Sequence, residues 1–433
     1  MRIIRHSDKD FERQLKQLTA PSSLFDRAIE ERTRAIVDEV AKRGDKALLE
    51  FTERFDVEKL SAKQLAVTEA ELAAAKQAAG RQLRAAVAVS SKNVAFFAKH
   101  SLRKNWSAKN AQGATVGEKF DPFGRVGIYI PGGTAPLVST CLMTIVLAKV
   151  AGCREIVVCT PCGKDGKVND AILYAAQKAG ATEIYRVGGA QAIAALALGT
   201  KTIRPVQKIY GPGNAYVVSA KRLLVGHVAI DLLPGPSELM VLADHTANAK
   251  FAAADMLAQA EHGSGHERVW LVSTSARFIA AVQKEIERQL PALSRGDFIR
   301  KALKNGGWLV QVKSLADGVA LVNQLAPEHC EVMTKDAAKV SKGIVTAGAI
   351  FLGPMSPTVL GDYLAGPSHT LPTGGAGASF PGLTVDQFQR RTSVVQYNRA
   401  SLAKSIDTVK QFAAMEGLDA HGRSAEIRLD EQA

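Results

Sequence analysis

Residues 125–137 read Arg125-Val-Gly-Ile-Tyr-Ile-Pro-Gly-Gly-Thr-Ala-Pro-Leu137, and the fold turns on this stretch. A short apolar run, Val126–Ile130, is followed by a glycine turn and then by an apolar stretch of helical length, about Leu137–Val150. The same order recurs downstream. Further runs at Glu155–Thr160, Glu183–Val187, Lys208–Tyr210 and Val228–Asp231 are separated by helical stretches near Asp170–Lys178, Ala190–Leu198 and Ala215–Leu224. A second series follows at Leu239–Ala243, Val269–Ser273, Trp308–Val312, Cys330–Met333 and Ala349–Leu352. Short apolar strands alternating with helices predict parallel sheets covered on both faces, and two series predict two α/β domains of Rossmann-like type. Each should carry a ligand crevice at its topological switch point.

Upstream, Leu24 to about Arg103 repeats apolar residues at three- and four-residue intervals, and Gly44 stops the first helix. Residues 353–382 are rich in Gly, Pro and Ser and read as an ordered functional loop; a last helix is expected at Ala400–Glu416, then a short tail. The expected division is an N-terminal segment at 1–24, an α/β domain built from 25–128 and 235–380, a second α/β domain at 129–234 inserted into it, and a C-terminal segment at 381–433.

Composition bounds the function classes. Of 433 residues, 46% are hydrophobic and 22% charged, which excludes a disordered or collagen-like chain. The formal charge is 55 − 42 = +13. Its clearest concentration is the acid-free stretch Leu72–Gly117, with Lys76, Arg81, Arg84, Lys92, Lys99, Arg103, Lys104 and Lys109; a solvated helical face is favoured there over a polyanion site. The longest apolar stretch, Leu137–Cys153, contains Ser139, Thr140, Thr144 and Lys149, too polar to cross a membrane. The first 30 residues hold Asp8, Asp10, Glu12 and Asp26 and no apolar core, unlike a secretory signal. Five sparse cysteines point to a reducing cytoplasm.

Glycine-rich turns sit where strands should end: Pro131-Gly132-Gly133, Gly188-Gly189, Gly211-Pro212-Gly213-Asn214 and Gly235-Pro236-Ser237-Glu238. They let backbone N–H groups approach a ligand, and two of them open helices that favour anionic groups. The chain contains no G-x-G-x-x-G and no G-x-x-x-x-G-K-[ST], so the turns alone do not establish a dinucleotide site.

The polar residues are scattered. Gln259 and His262 lie three apart near the end of an expected helix Phe251–His262, on one face where they could share a metal. Asp362 and His369 lie in the irregular segment, and Asp419 precedes His421 by two. A Gln–His–Asp–His set suits a zinc site with open positions, but ordinary surface or helix-end polar residues fit these positions as well. Glu328-His329 opens a strand; a His base beside a Glu could activate water, or the pair could make local hydrogen bonds only. Cys159-Thr160-Pro161-Cys162 is a C-x-x-C without a second half, read as incidental.

In order, these strings resemble the histidinol dehydrogenase family. The likeness runs through Arg125–Leu137, Val187-Gly-Gly-Ala-Gln-Ala192, Gly211-Pro-Gly-Asn-Ala-Tyr-Val217, Ile230-Asp231, Gly235-Pro-Ser-Glu238, Gln259-Ala-Glu-His-Gly263, Ala326-Pro-Glu-His329, Gly361-Asp-Tyr-Leu-Ala-Gly-Pro-Ser-His369 and Glu416-Gly-Leu-Asp-Ala-His421. The resemblance implies two-step oxidation of L-histidinol through L-histidinal to L-histidine with two NAD⁺ and one Zn²⁺ per subunit. It implies Gln259, His262, Asp362 and His421 as zinc ligands, His329 as general base and Glu328 as activator of water. It further implies Ser237 and Glu416 as substrate contacts alongside the zinc ligands and His329, with Tyr129, Gln191 and Asn214 as NAD⁺ contacts. A homodimer is implied, its C-terminal segment completing the partner's site, with neither nucleic acid nor membrane as partner. One departure is Ser368, where the family usually has Asn before the His. The rival readings are a paralogous zinc/NAD dehydrogenase acting on another small alcohol, such as a sulfonated diol, and a basic nucleic-acid-binding protein.

Overall fold

The computed structural model describes residues 1–19, 26–56, 59–132 and 136–430. Its frame is two parallel sheets. The first runs Glu183–Arg186, Glu155–Thr160, Arg125–Tyr129, Lys208–Tyr210 and Ala229–Ile230 from edge to edge. Numbered along the chain, that order is 3-2-1-4-5, the doubly wound arrangement, with its switch point between Arg125–Tyr129 and Lys208–Tyr210. The second sheet runs Arg2–Arg5, Gly307–Gln311, Arg268–Ser273, Glu238–Ala243, His329–Met333 and Ala349–Leu352. It has the same winding with the N-terminal strand added at one edge, and it switches between Glu238–Ala243 and His329–Met333.

Both sheets are covered on both faces, because alternate residues of each strand enter different cores. Val126, Ile128 and Ile130 pack with helices Arg81–Ser101, Val138–Ala151 and Asp170–Ala179. Tyr129, Val157 and Cys159 pack with Arg27–Arg43 and Gly189–Leu198 on the other side. In the second sheet Leu239 and Val241 face one core while Met240 and Leu242 face the other. Strands buried on both faces read as continuous apolar runs, which is why each sequence run coincides with a strand.

The structure corrects the expected grouping of segments. The helices between 27 and 101 pack on the first sheet, not the second: Arg27–Arg43 lies on Gly189–Leu198 and Ala215–Leu223, and Arg81–Ser101 lies on Val138–Ala151. The bare faces of the first sheet need cover, and the apolar stripe Ile36–Val37–Val40 supplies it. Nor is the N-terminus a separate segment, since Arg2–Arg5 pairs with Gly307–Gln311. A third sheet, three-stranded and antiparallel, joins Gln389–Gln396, Thr115–Pro122 and Trp106–Lys109. The expected last helix is two, Arg399–Ala403 and Ile406–Glu416, and Gly417 ends the second in the left-handed region at φ 67°. What reads as a tail is a helix, Asp419–Asp430. The eight cationic side chains of the acid-free stretch are all exposed. Among the described residues no helix is long and apolar enough to cross a membrane.

A buried ion pair fixes the turn at the first switch point. The side chains of Lys221 and Asp231 are both fully buried; Lys221 Nζ bonds Asp231 Oδ1 and donates to the carbonyls of Gly211 (3.0 Å) and Leu232 (2.9 Å). Asp231 Oδ2 accepts from Gly211 N at 2.8 Å. Gly211 has φ +110°, and a Cβ there would stand 2.1 Å from Tyr129 O, so only glycine fits. Lys221→Met alone leaves a buried carboxylate uncompensated and should cost about 3–5 kcal/mol in urea unfolding, whereas pairing it with Asp231→Leu should recover much of that loss.

Candidate active site

The two switch points face each other across one cavity of about 1240 Å³. From the first sheet it receives the turns that follow the strands, Pro131 and Pro212–Asn214, at the carboxyl edge where ligands of doubly wound sheets bind. From the second sheet it receives residues that open the strands: Ser237 and Glu238, Arg268, Glu328 and His329. The second crevice therefore lies at the amino edge, the reverse of the expectation for a switch point. Helix Ala249–Ala260 and the short helix Thr358–Tyr363 complete the wall.

His329 is the best-defined group. It is 4% exposed, and its Nδ1 lies 3.0 Å from the Glu238 carbonyl oxygen. A carbonyl only accepts, so Nδ1 carries the proton and the Nε2 lone pair opens toward Asp362 Oδ1, 3.9 Å away. Burial pushes the imidazole below its ordinary pKa, and the Asp362 charge opposes the shift without reversing it. The ring is thus neutral and able to accept a proton near pH 7.

Glu328 is the complementary group. Its Oε2 accepts from Glu238 N at 2.8 Å and stands 3.5 Å from His329 Nδ1. Burial raises its carboxyl well above the usual range, and the charges of Glu238 and Asp362 raise it further against that hydrogen bond. Glu238 itself is pushed up to about 7 by burial, with Arg268 opposing. A carboxyl raised in the folded state stabilises the fold below its unfolded value of 4.5 and loses that contribution as pH climbs. Glu328→Gln has no charge to bury, so its melting temperature relative to the parent should rise steadily from acid to alkaline buffer. A difference independent of pH would contradict this.

The expected helix Phe251–His262 is shorter at its end: it closes at Ala260 and His262 sits in the turn beyond. There His262 Nδ1 bonds Gln259 O at 2.9 Å, which leaves Nε2 as the outward donor atom. Gln259 is 3% exposed, and its Nε2 has no partner among the described residues. Asp362, on Thr358–Tyr363, shares this wall, and its carbonyl lies 3.1 Å from His369 Nδ1. His369 Nε2 reaches Thr140 Oγ1 at 3.2 Å, and Ser368 Oγ donates to Met143 O at 2.9 Å, so Ser368 leaves the histidine lining the cavity.

Gln259, His262 and Asp362 offer an amide oxygen, an imidazole nitrogen and a carboxylate, a donor set that suits zinc but is one short of four. Among the described residues no group of three or more His, Cys, Asp or Glu is placed to hold a metal. His421 is elsewhere: exposed near the start of Asp419–Asp430, in a separate cleft with Tyr397, Arg399 and Arg428. Glu416 is exposed at the end of Ile406–Glu416.

Of the residues expected at the dinucleotide, Asn214 lines the cavity; its Oδ1 caps Ala215–Leu223 by accepting from Tyr216 N and Val217 N, which leaves Nδ2 for a ligand. Tyr129 and Gln191 are buried behind the wall, where Tyr129 Oη accepts from Gly189 N at 3.1 Å and neither polar atom of the Gln191 amide has a partner among the described residues. Gly133, Thr134 and Ala135 of the opening stretch lie outside the described residues. Cys159 and Cys162 are buried and in no disulfide. Sequence reasoning missed Lys221 as the anchor of the Gly211 turn and Glu238 as the backbone clamp on both Glu328 and His329. A lysine on a helix gives no sign of burial, and a clamp made by the main chain leaves no mark in residue type.

Comparison with known proteins bears on the whole chain. The histidinol dehydrogenase family model matches residues 20–429. The chain is similar to histidinol dehydrogenase of Geobacillus kaustophilus, 46% identical over 404 residues that cover 93% of this chain and 95% of the relative. It is 43% identical over 427 residues to that of Rhodopseudomonas palustris, covering 99% of each. Among solved structures, histidinol dehydrogenase from Elizabethkingia anophelis superposes with a TM-score of 0.94 at 33% identity, covering 99% of this chain and 98% of that one. A match of sequence and of both sheets from end to end admits one assignment: the chain belongs to the histidinol dehydrogenase family.

Proposed function

We propose that this chain oxidises L-histidinol through L-histidinal to L-histidine, using two NAD⁺ and one zinc ion per site. The observation that carries the reading is His329, a buried, neutral imidazole whose free Nε2 opens toward Asp362 in a cavity also lined by Gln259 and His262. When bound by Gln259, His262, Asp362 and a fourth donor, His421, zinc supplies an orienting anchor for the imidazole and amino groups of the substrate, and NAD⁺ supplies the hydride acceptor.

The chain's own residues do the rest. His329 Nε2 takes the alcohol proton, and the Glu238 carbonyl keeps the ring aligned while Asp362 balances the charge that forms on it. Glu328, raised by burial, is a strong base once ionised and removes a proton from the water that hydrates the aldehyde. Entry of a cationic substrate beside it favours the ionised form. Ser237 and Glu416 complete the substrate contacts. Asn214 Nδ2, the unpartnered Gln191 amide and the Tyr129 hydroxyl are the proposed NAD⁺ contacts.

The assembly proposed is a homodimer, with His421 and Glu416 entering the partner's cavity. In support, neither lines this chain's own cavity, and Met415 and Phe412 beside them are 74% and 58% exposed, an apolar surface that a second copy would cover. The proposed setting is the cytoplasm, in keeping with five cysteines none of which is in a disulfide.

Supplying purified protein with NAD⁺ and either L-histidinol or a sulfonated diol separates this reading from its nearest rival. NADH formation with histidinol alone is expected, and formation with the diol alone would hand the site to the paralogous activity. Glu328→Gln should slow oxidation of supplied histidinal far more than the first oxidation of histidinol, which stopped-flow NADH traces on the two substrates would resolve.

A further inference from the structure

The strand that opens with His329 carries an acid where none is expected. Glu331 lies in the middle of His329–Met333, between strands Glu238–Ala243 and Ala349–Leu352, and is 1% exposed. A carboxyl there is costly unless it is hydrogen-bonded. Its Oε1 accepts twice from one residue, from Thr358 N at 2.7 Å and from Thr358 Oγ1 at 2.5 Å. Thr358 opens the short helix Thr358–Tyr363, where a first-turn amide has no acceptor within the helix, and Pro357 at the cap position makes no side-chain bond to it. Glu331 therefore caps that helix from a neighbouring strand.

This tie runs alongside the site. Cys330 and Val332 point into one core of the sheet and Met333 into the other, so His329 and Glu331, which alternate with the first pair, project from the same face. On the helix, Thr358 and Asp362 are four apart and share a face. Two residues along a strand and one turn along a helix span nearly equal distances, about 6.5 Å and about 6 Å. Strand and helix are thus joined by two parallel rungs. One is Glu331 to Thr358; the other is His329 Nε2 to Asp362 Oδ1, 3.9 Å apart. The second is too long for a hydrogen bond and cannot hold its own geometry, whereas the first can.

We propose that Glu331, acting through Thr358, positions Asp362 against His329. The proposal rests on the functional reading above for what Asp362 and His329 do. Glu331 does not line the cavity, so it is a positioning residue.

The test uses the full-length protein and begins without metal. Amide hydrogen exchange across residues 358–363 should be at least about 10-fold faster in Glu331→Leu than in the parent, since the first-turn amide loses its acceptor. Glu331→Gln, whose amide oxygen can accept the same bonds, should stay near the parent. Unchanged exchange in the Leu variant would overturn the tie. Thr358→Val removes the hydroxyl bond alone and leaves the core filled, so it reads the tie even where Glu331→Leu does not fold. It should weaken zinc affinity, measured by competition with a chelator, by about 10–100-fold. In an Asp362→Ala background the same substitution should change zinc affinity no further, because its effect passes through Asp362. Parent-like zinc affinity in Thr358→Val, or an equal loss in both backgrounds, would overturn the positioning role. Should the parent bind no zinc or form no NADH from histidinol, the functional reading fails, and the exchange comparison still judges the tie.

Discussion

His329→Asn should lower turnover of L-histidinol by about 10²–10⁴-fold while zinc content and histidinol affinity stay near those of the parent. The expectation follows from how the ring is held. Nδ1 is committed to the Glu238 carbonyl, so Nε2 is the one ring atom that can take a proton. Asn can keep the bond to that carbonyl through its amide N–H but offers no base at the other end. Nothing in the donor set of Gln259, His262 and Asp362 depends on the imidazole, so binding should survive. Steady-state kinetics with isothermal titration of histidinol would check both halves. A variant with near-parental kcat would remove His329 as the base, and one that lost zinc in parallel would make it a structural support of the metal site.

The second large effect concerns who owns His421. His421→Asn should abolish most activity and weaken zinc and histidinol together, and co-expression with His329→Asn should bring activity back. In a mixed dimer the His329→Asn subunit lends an intact tail to the intact cavity of its partner, so one of two sites works. Random pairing makes about half of the dimers mixed, so about a quarter of the parental activity should return. If His421 served its own chain, every site in the mixture would carry one lesion and none would recover. The exposed position of His421, in a cleft away from Glu328 and His329, is the observation behind this expectation. Titrating the ratio of the two variants would give a maximum near equal amounts.

Much of the architecture was legible because parallel strands buried on both faces announce themselves as apolar runs closed by glycine turns. Leu239–Ala243 and Ile156–Thr160 need no partner information to be read. Arg2–Arg5 escaped because an edge strand of two arginines flanking two isoleucines is too short to carry a period. The antiparallel strands Trp106–Lys109 and Gln389–Gln396 escaped because they are mostly exposed and polar, so no burial pattern is written into them. The segment grouping differs for another reason: residues 25–128 are expected with the distant 235–380 and not with the strands that follow them, but the apolar stripe of Arg27–Arg43 is satisfied by whichever sheet lies bare.

The site divides in the same way. Cavity-lining side chains at turns and strand openings, such as Asn214, Ser237 and His329, stand out by type and setting. Glu331, which accepts from Thr358 N, shows in the sequence as a single acid inside the apolar run Cys330–Met333. Lys221 leaves no such mark, since its neighbours on Ala215–Leu223 look like those of any surface lysine. Whether His421 completes its own cavity or another's is not written in residue order at all, because both arrangements use the same string.

One site is proposed to carry a small alcohol through two successive oxidations. Counting NADH formed per molecule of L-histidinol consumed, with zinc-loaded protein and excess NAD⁺, tests it most directly. Two NADH with L-histidine as the product is the result expected. One NADH with histidinal accumulating, or none, would contradict it.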